Sequence, residues 1–484
     1  MKKKSIFGLT HWASICLSVI LAGCNSIPAS IRNQLDVGKL LRVEPTPAAI
    51  RAAVIPTAVP SEISTAEVVR RRGKLRVGMR YDAPPLSFVN DKGDLEGLDL
   101  DIAREFATRW LGGPDKVEFI QVTFGSAPQK LATREIDIAM GGFLHSKTTE
   151  EIADFGITYL EDGEALLIKA NTAKEPRDLA RKSVGWVDLD TTYALRDLQN
   201  GLAVTMTLQS MGSYSKAFQE LKAGRLNAIA GNWRRLRYEA SRDPQLAVLS
   251  VLSRYPVGVL LAENDSAWQG FVNFTLSKMM TDGSFATLHR KWFGTAPPAV
   301  ARPLQGEADL QLAALPANVN LKRTLDQVKN NKLLRVGIST QNLPFASWDF
   351  KNDALGYEVE MVVELARRLP DPARVEFIDL KGNSLTDALK SGQIDMGVGG
   401  VSISPANERL FDFSYPIFQP SSVYTGPLAR FTSPVGLVFA ENDSEWRDLM
   451  NLNLQDMQAD SSLTKLAQKW LKVPPPPIEI WAPY

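Results

Sequence analysis

The strongest constraint on how this chain folds is that it carries one pattern twice. Leu75-Arg76-Val77-Gly78 returns as Leu334-Arg335-Val336-Gly337, and Gly97 as Gly356, at a spacing of 259 residues. Val117-Glu118-Phe119-Ile120 returns as Val375-Glu376-Phe377-Ile378, Ile136-Asp137 as Ile394-Asp395, and Asp154-Phe155 as Asp412-Phe413, at a spacing of 258. A repeat of that length is a whole domain rather than a solenoid unit. The spacing then jumps. Pro256-Val257-Gly258 and Ala262-Glu263-Asn264-Asp265-Ser266 reappear as Pro434-Val435-Gly436 and Ala440-Glu441-Asn442-Asp443-Ser444, only 178 residues on, so the second copy lacks 80 residues of its middle. Both copies close on a stretch predicted as a final helix, Trp268 to Trp292 and Trp446 to Trp470.

Within the first copy, Leu75 to Met79 reads as a strand and Leu98 to Trp110 carries apolar residues at helical spacing. Val117 to Val122, Ala127 to Thr133 and Ile136 to Met140 continue the pattern as strand, helix and strand. A βαβαβ alternation predicts an α/β domain with a mainly parallel sheet, whose ligands sit outside the carboxyl ends of the strands.

The chain resembles the family 3 extracellular solute-binding proteins, the amino-acid-binding components of ABC importers. The residues that carry the resemblance are Arg76-Val77-Gly78, Pro85-Leu86-Ser87-Phe88, Gly97-Leu98-Asp99-Leu100-Asp101 and Leu131 to Met140 ahead of a Gly-Gly turn. Asp154-Phe155-Gly156-Ile157-Thr158-Tyr159 and the stretch from Asp282-Gly283-Ser284 to Trp292-Phe293-Gly294 complete it. The resemblance implies a periplasmic-binding-protein type II fold: two α/β lobes joined by two hinge strands, closing on a ligand. The first copy, residues 63–298, is expected to have both lobes. Lobe one runs from about Ser64 to Gly163 plus Ala262 to Gly294, and lobe two from about Glu164 to Leu261. The second copy, 323–474, is expected to be a single lobe, with Tyr424 to Thr432 bridging the place where lobe two is missing; residues 299–322 read as a linker.

In such proteins an arginine pairs with the ligand carboxylate and an aspartate with its ammonium. Here the turn that should hold the arginine reads Gly142-Phe143-Leu144-His145-Ser146-Lys147-Thr148-Thr149, with Thr149 in its place. The aspartate position holds Asn232, and the helix turn of lobe two reads Leu189-Asp190-Thr191-Thr192. The first loop is Arg80-Tyr81-Asp82 ahead of Ala83-Pro84-Pro85-Leu86, with Tyr81 or Phe143 as substitutes for a stacking aromatic. The expected ligand-binding set is therefore Arg80, Tyr81, Asp82, Leu86, Phe143, Ser146, Thr149, Asp190, Thr191 and Asn232, with Ser402, Ser404 and Arg409 in the second copy. Losing both charged partners argues against an ordinary zwitterionic amino acid, whose buried charges would go unpaired at a cost of several kcal/mol. A different small polar or cationic solute is the favoured expectation, ahead of a non-binding scaffold; rebuilding of a zwitterion site by other side chains stays open.

A dehydratase-type enzyme on the same fold would draw on Glu161, Asp162, Glu164, Asp188 or Asp190, but no nucleophile-base pair or phosphate loop accompanies them. The expectation is no enzyme and no cofactor. Metal is not expected either, because Cys16 and Cys24 are the only cysteines and His11, His145 and His289 are too far apart for ligand spacing. With 55 basic against 54 acidic side chains, nothing in the net charge points to nucleic acid.

Lys2, Lys3 and Lys4 followed by the apolar stretch Ile6 to Ala22 read as a secretory signal. It ends Leu21-Ala22-Gly23-Cys24, a lipobox, so residues 1–24 are expected to be a lipoprotein signal with Cys24 as the lipid-attachment site. Residues 25–62, rich in Pro and Ala, read as a tether, and Asn25 favours the outer over the inner membrane of a two-membrane host. The expected protein is thus a periplasmic, membrane-anchored lipoprotein that captures a small polar solute for an ABC permease, with a non-transport sensory or scaffold lipoprotein acting through another membrane or periplasmic protein as the alternative. Docking of the two copies on each other would bury the second copy's open lobe-two-facing surface. Residues 475–484, after Pro474, read as an extended tail.

Overall fold

A computed structural model describes residues 63–90, 92–187, 189–298 (189 and 190 by backbone alone), 311–319, 321–339 and 342–479. The expected signal, lipobox and tether, most of the linker and the end of the tail lie outside the described residues. No helix among them is long and apolar enough to cross a membrane.

The first copy begins with β1 (Leu75–Met79), β2 (Val117–Gln121), β3 (Ile138–Met140) and β4 (Asp154–Phe155). The chain leaves through β5 (Leu160–Asp162) and builds a second sheet from β6 (Glu164–Lys169), β7 (Ser183–Trp186), β8 (Thr207–Ser210), β9 (Ala228–Asn232) and β10 (Leu246–Val251). It returns through β11 (Tyr255–Val257), antiparallel to β5, and β12 (Leu260–Leu261) re-enters the first sheet. The sheet orders are β2-β1-β3-β12-β4 and β8-β7-β9-β6-β10. Two lobes joined by a two-stranded hinge follow directly.

The second copy repeats the first lobe alone. Its strands β13 (Leu333–Ile338), β14 (Arg374–Asp379), β15 (Met396–Val398), β16 (Asp412–Phe413) and β17 (Val438–Phe439) lie in the order β14-β13-β15-β17-β16, strand for strand that of lobe one. Between β16 and β17 the only helical segment is a single short 3-10 turn, Gly426–Arg430.

The repeated residues have physical reasons to recur. Gly97 and Gly356 open the helix that follows the first strand of each copy, Leu98–Leu111 and Tyr357–Arg368, at φ 145° and 134°. A Cβ there would lie 2.0 Å from the Leu86 carbonyl oxygen and 2.2 Å from that of Phe345, so only glycine fits. Asp137 and Asp395 accept the backbone N–H of Arg76 (2.6 Å) and Arg335 (2.7 Å), fixing the start of the first strand of each copy, β1 and β13. Each final helix is in fact two: Ser266–Thr281 then Ser284–Phe293, and Ser444–Ala459 then Ser462–Trp470. The break falls where Gly283 and Ser461 take left-handed φ of 83° and 66°, which ends a helix.

The two copies meet through the Ala-Glu-Asn-Asp-Ser motif, with reciprocal bonds. Asn264 N–H donates to Ser444 Oγ (3.0 Å) and Asn442 N–H to Ser266 Oγ (2.7 Å). Ser444 N–H donates to Asn264 Oδ1 (2.9 Å) and Ser266 N–H to Asn442 Oδ1 (3.0 Å). Ser444 Oγ then donates to Asp154 Oδ2 (2.8 Å) and Ser266 Oγ to Asp412 Oδ2 (2.7 Å). This is an isologous, pseudo-two-fold junction within one chain. It uses the edge of each first lobe rather than the second copy's strand-end surface. That surface is covered by the copy's own bridge, where Arg430 Nη2 donates to Asn342 Oδ1 and to the Leu343 carbonyl, and Phe431 packs 4.8 Å from Phe345.

The described residues after Pro474, 475–479, belong to no helix or strand and are tied down by hydrogen bonds. Ile478 is buried and bonds Gln458 through its N–H (2.6 Å). Glu479 reaches the first copy, accepting from Thr158 Oγ1 (2.5 Å) and pairing with His145 Nδ1 (2.9 Å).

Candidate ligand cleft

Three strands of lobe one deliver side chains at their carboxyl ends. Arg80 follows β1, Phe124 follows β2, and the Gly141-Gly142 turn follows β3. The Arg80 guanidinium lies 3.9 Å from the centre of the Phe124 ring, with Nε 3.1 Å from Asp82 Oδ1 and Nη1 3.5 Å from the Gly141 carbonyl oxygen. Phe124 is 52% exposed, and its ring meets Phe143 edge-on at 5.4 Å. The guanidinium thus sits over an aromatic ring and is paired with the exposed Asp82 carboxylate, which an incoming anion would have to displace or share. Asp82 is exposed and Tyr81 half-buried, its hydroxyl pKa pushed up by burial.

The remaining expected lobe-one residues are structural. Leu86 and Phe143 are core, both 2% exposed. Ser146 caps the short helix Lys147–Glu150, accepting from Thr149 N–H (3.2 Å) and lying 2.7 Å from Thr149 Oγ1. Phe124, not Phe143, presents the aromatic face. Its position three residues past a strand end, just before Gly125, was the available signal.

In lobe two, Thr191 is buried and donates to Glu164 Oε2 at 2.5 Å. Asn232 ends β9 and caps the helix Trp233–Arg242, its Oδ1 accepting from Arg235 N–H (3.1 Å). Its Nδ2 donates to Asp162 Oδ2 in the hinge (2.9 Å), so both ends of the amide are used within the protein. The Asp190 side chain lies outside the described residues. Asp162 is buried, which pushes its pKa up, against the opposing pull of buried Arg234. Behind the cleft Asp99, 0% exposed, accepts from Tyr159 (2.9 Å) and Gly141 N–H (2.8 Å); burial lifts its pKa to about 7. Arg235, unnoticed in the sequence, crosses between lobes to the Asp82 carbonyl oxygen (3.0 Å), and Tyr238 meets Phe88 at 5.6 Å.

The bacterial extracellular solute-binding proteins, family 3, match residues 75–295 and 334–473. The chain belongs to this family. Among similar proteins, the glutamine-binding protein of Geobacillus stearothermophilus is 27% identical over 266 residues, 54% of this chain and 94% of that one. The L-cystine-binding protein TcyJ of Escherichia coli (strain K12) is 30% identical over 231 residues, 47% and 85% of the two chains. Of solved structures, an ancestral cationic amino acid solute-binding protein is 28% identical and covers 48% of this chain and all of its own, with a TM-score of 0.42.

In this solute-binding protein the second copy's expected site residues do not form a cleft. Ser404 Oγ accepts from Asn407 N–H (3.3 Å), and the Ser402 carbonyl from Asn407 Nδ2 (2.8 Å). Arg409 is exposed and lines a cavity against the first copy. At the junction the carboxylates of Glu150, Asp154 and Asp448 lie within 4.8 Å of one another. Carboxylates alone can hold a hard cation, a possibility that histidine and cysteine spacing does not address. Arg447 already neutralises two of the three, at 2.7 Å from Asp154 Oδ1 and 2.9 Å from Asp448 Oδ1.

Proposed function

We propose that the first copy captures a small, amino-acid-like polar solute bearing a carboxylate and hands it to an ABC permease, the whole being tethered at the periplasmic face of a membrane through Cys24. The observation that carries this reading is Arg80, set on Phe124 at the carboxyl ends of the lobe-one strands. It offers the guanidinium that Thr149 lacks, from the neighbouring loop. Relatives named for binding glutamine and L-cystine support the solute class. Asn232 and Thr191 are engaged with Asp162 and Glu164, which supports a ligand other than a standard zwitterion. The role is binding rather than catalysis: Asp162 and Glu164 are buried and hydrogen-bonded near the hinge rather than poised as an acid and base.

The test is thermal unfolding of the chain from residue 63 onward, screened against amino acids, other small carboxylates, polyamines and sugars, since a ligand of the native state raises the midpoint. A carboxylate-bearing compound is expected to raise it, and Arg80→Ala to weaken that binding by at least about tenfold. If no compound shifts the midpoint, solute capture fails and a lipoprotein acting through a protein partner takes its place. Chain processed after Gly23 and carrying lipid on Cys24, seen by mass spectrometry, is the expected result for the anchor.

A further inference from the structure

The pseudo-two-fold junction is symmetric in its backbone bonds but not in its charges. On one side Glu150 and Asp154 of the first copy face Arg447 and Asp448 of the second, and Arg447 Nη2 is 2.7 Å from Asp154. The repeat places Glu408 and Asp412 opposite Gln269 and Gly270 on the other side. There the arginine has become glutamine and the aspartate has become a residue with no side chain.

What remains is a cavity of about 190 Å³ where Gly270 faces Glu408. Its polar wall is Glu408, Arg409 and Glu441; none of the three side chains has a hydrogen-bond partner among the described residues. Phe271, Phe274 and Pro316 line the opposite wall. Two carboxylates thus face one arginine across an apolar floor. Burial, with the charge of Asp412 adding to it, pushes Glu408 up to about 8. In the other half of the junction a guanidinium, Arg447, pairs with the buried carboxylates Asp154 and Asp448, so a cation of that kind is accommodated beside acidic groups at this interface.

We propose that this cavity is a second ligand site, separate from the cleft, that takes a small organic cation: a guanidinium or primary ammonium on a short apolar body. The charged head pairs with Glu408 and Glu441 in the manner of Arg447, and the apolar body lies on Phe271 and Phe274. Because the cavity is walled by both copies and by the segment joining them, its ligand binds only when the copies are docked. The truncated copy then contributes to ligand binding without possessing a cleft.

Butylguanidine and its neutral isostere butylurea distinguish the proposal, measured by calorimetry and thermal unfolding on the chain from residue 63 onward. Butylguanidine is expected to bind saturably and raise the unfolding midpoint, and butylurea to do neither. Glu408→Gln should weaken binding by at least about tenfold. Gly270→Leu should abolish it by filling the space, since a Cβ at Gly270 meets only the Glu408 carbonyl oxygen at 3.8 Å and leaves the fold intact. Absence of binding, equal binding of butylurea, or binding that persists in both variants each overturns the proposal. The last outcome would place the cation in the first copy's cleft, where Arg80→Ala and not Gly270→Leu would alter it.

Discussion

Glu358 occupies in the second copy the place of Asp99 in the first, and it is fully buried. One of its oxygens accepts the N–H groups of Gly399 (2.5 Å) and Gly400 (2.9 Å), while Oε1 has no hydrogen-bond partner among the described residues. Burial outweighs these bonds and raises its pKa to about 7. The folded protein therefore holds this proton more tightly than the unfolded chain. The stabilisation is complete below the ordinary glutamate pKa of about 4.5 and is lost as pH rises through about 7. Glu358→Gln keeps the accepting oxygen and fills the orphan position with an amide. It is expected to cost little at pH 5, to raise the unfolding midpoint at pH 8, and to flatten the fall in midpoint between them; an unchanged pH slope would refute this.

The charged part of the junction between the copies rests on one helix, Ser444–Ala459, whose first turn presents Arg447 to Asp154, Asp448 and Gln269. Arg447→Ala leaves two buried carboxylates without their cation, so unfolding in denaturant should show a loss of about 3–5 kcal/mol. Neutralising them as well, with Asp154→Asn and Asp448→Asn, should recover most of that loss. The tail is a second tether of the same kind. Burial opposes a charge on His145, but Glu150 and then Glu479 outweigh it and hold the imidazole up to about 9. Stabilisation from that charge is full below about 6.5 and disappears as pH rises through 9. Glu479→Ala should accordingly cost about 1–3 kcal/mol at pH 6 and much less above pH 9, measured by denaturant unfolding at the two values.

At the scale of the whole molecule, the junction partners contributed by the first copy are His145, Asp154, Thr158, Asn264, Ser266 and Gln269, all on lobe one. Lobe two is joined to lobe one by the hinge strands and by contacts such as that from Arg235 to Asp82. Among the described residues the hydrogen bonds of the junction enlarge one jaw and none of them reaches the other, an arrangement compatible with hinge closure of the first copy. The second copy cannot itself close on a ligand, since its strand ends face Arg430 and Phe431 of its own bridge.

The sequence by itself determined the repeat, the order of strands and helices, and the absence of a second lobe in the second copy. These rest on local periodicity, on glycines such as Gly97 whose backbone admits no side chain, and on a gap in the chain that no packing can fill. The family resemblance put Arg80 among the candidates as part of the loop after the first strand, where ligands of an α/β sheet bind. Only the tertiary structure decided that Asn232 turns onto Asp162, that Thr191 is claimed by Glu164, and that Phe124 rather than Phe143 is the open aromatic. It alone revealed that the repeated Asn-Asp-Ser motif is a self-complementary interface. Which partner a polar side chain meets depends on neighbours far away in the chain, and a hydrogen bond across 180 residues, as from Ser444 to Asn264, leaves no periodic trace in the sequence.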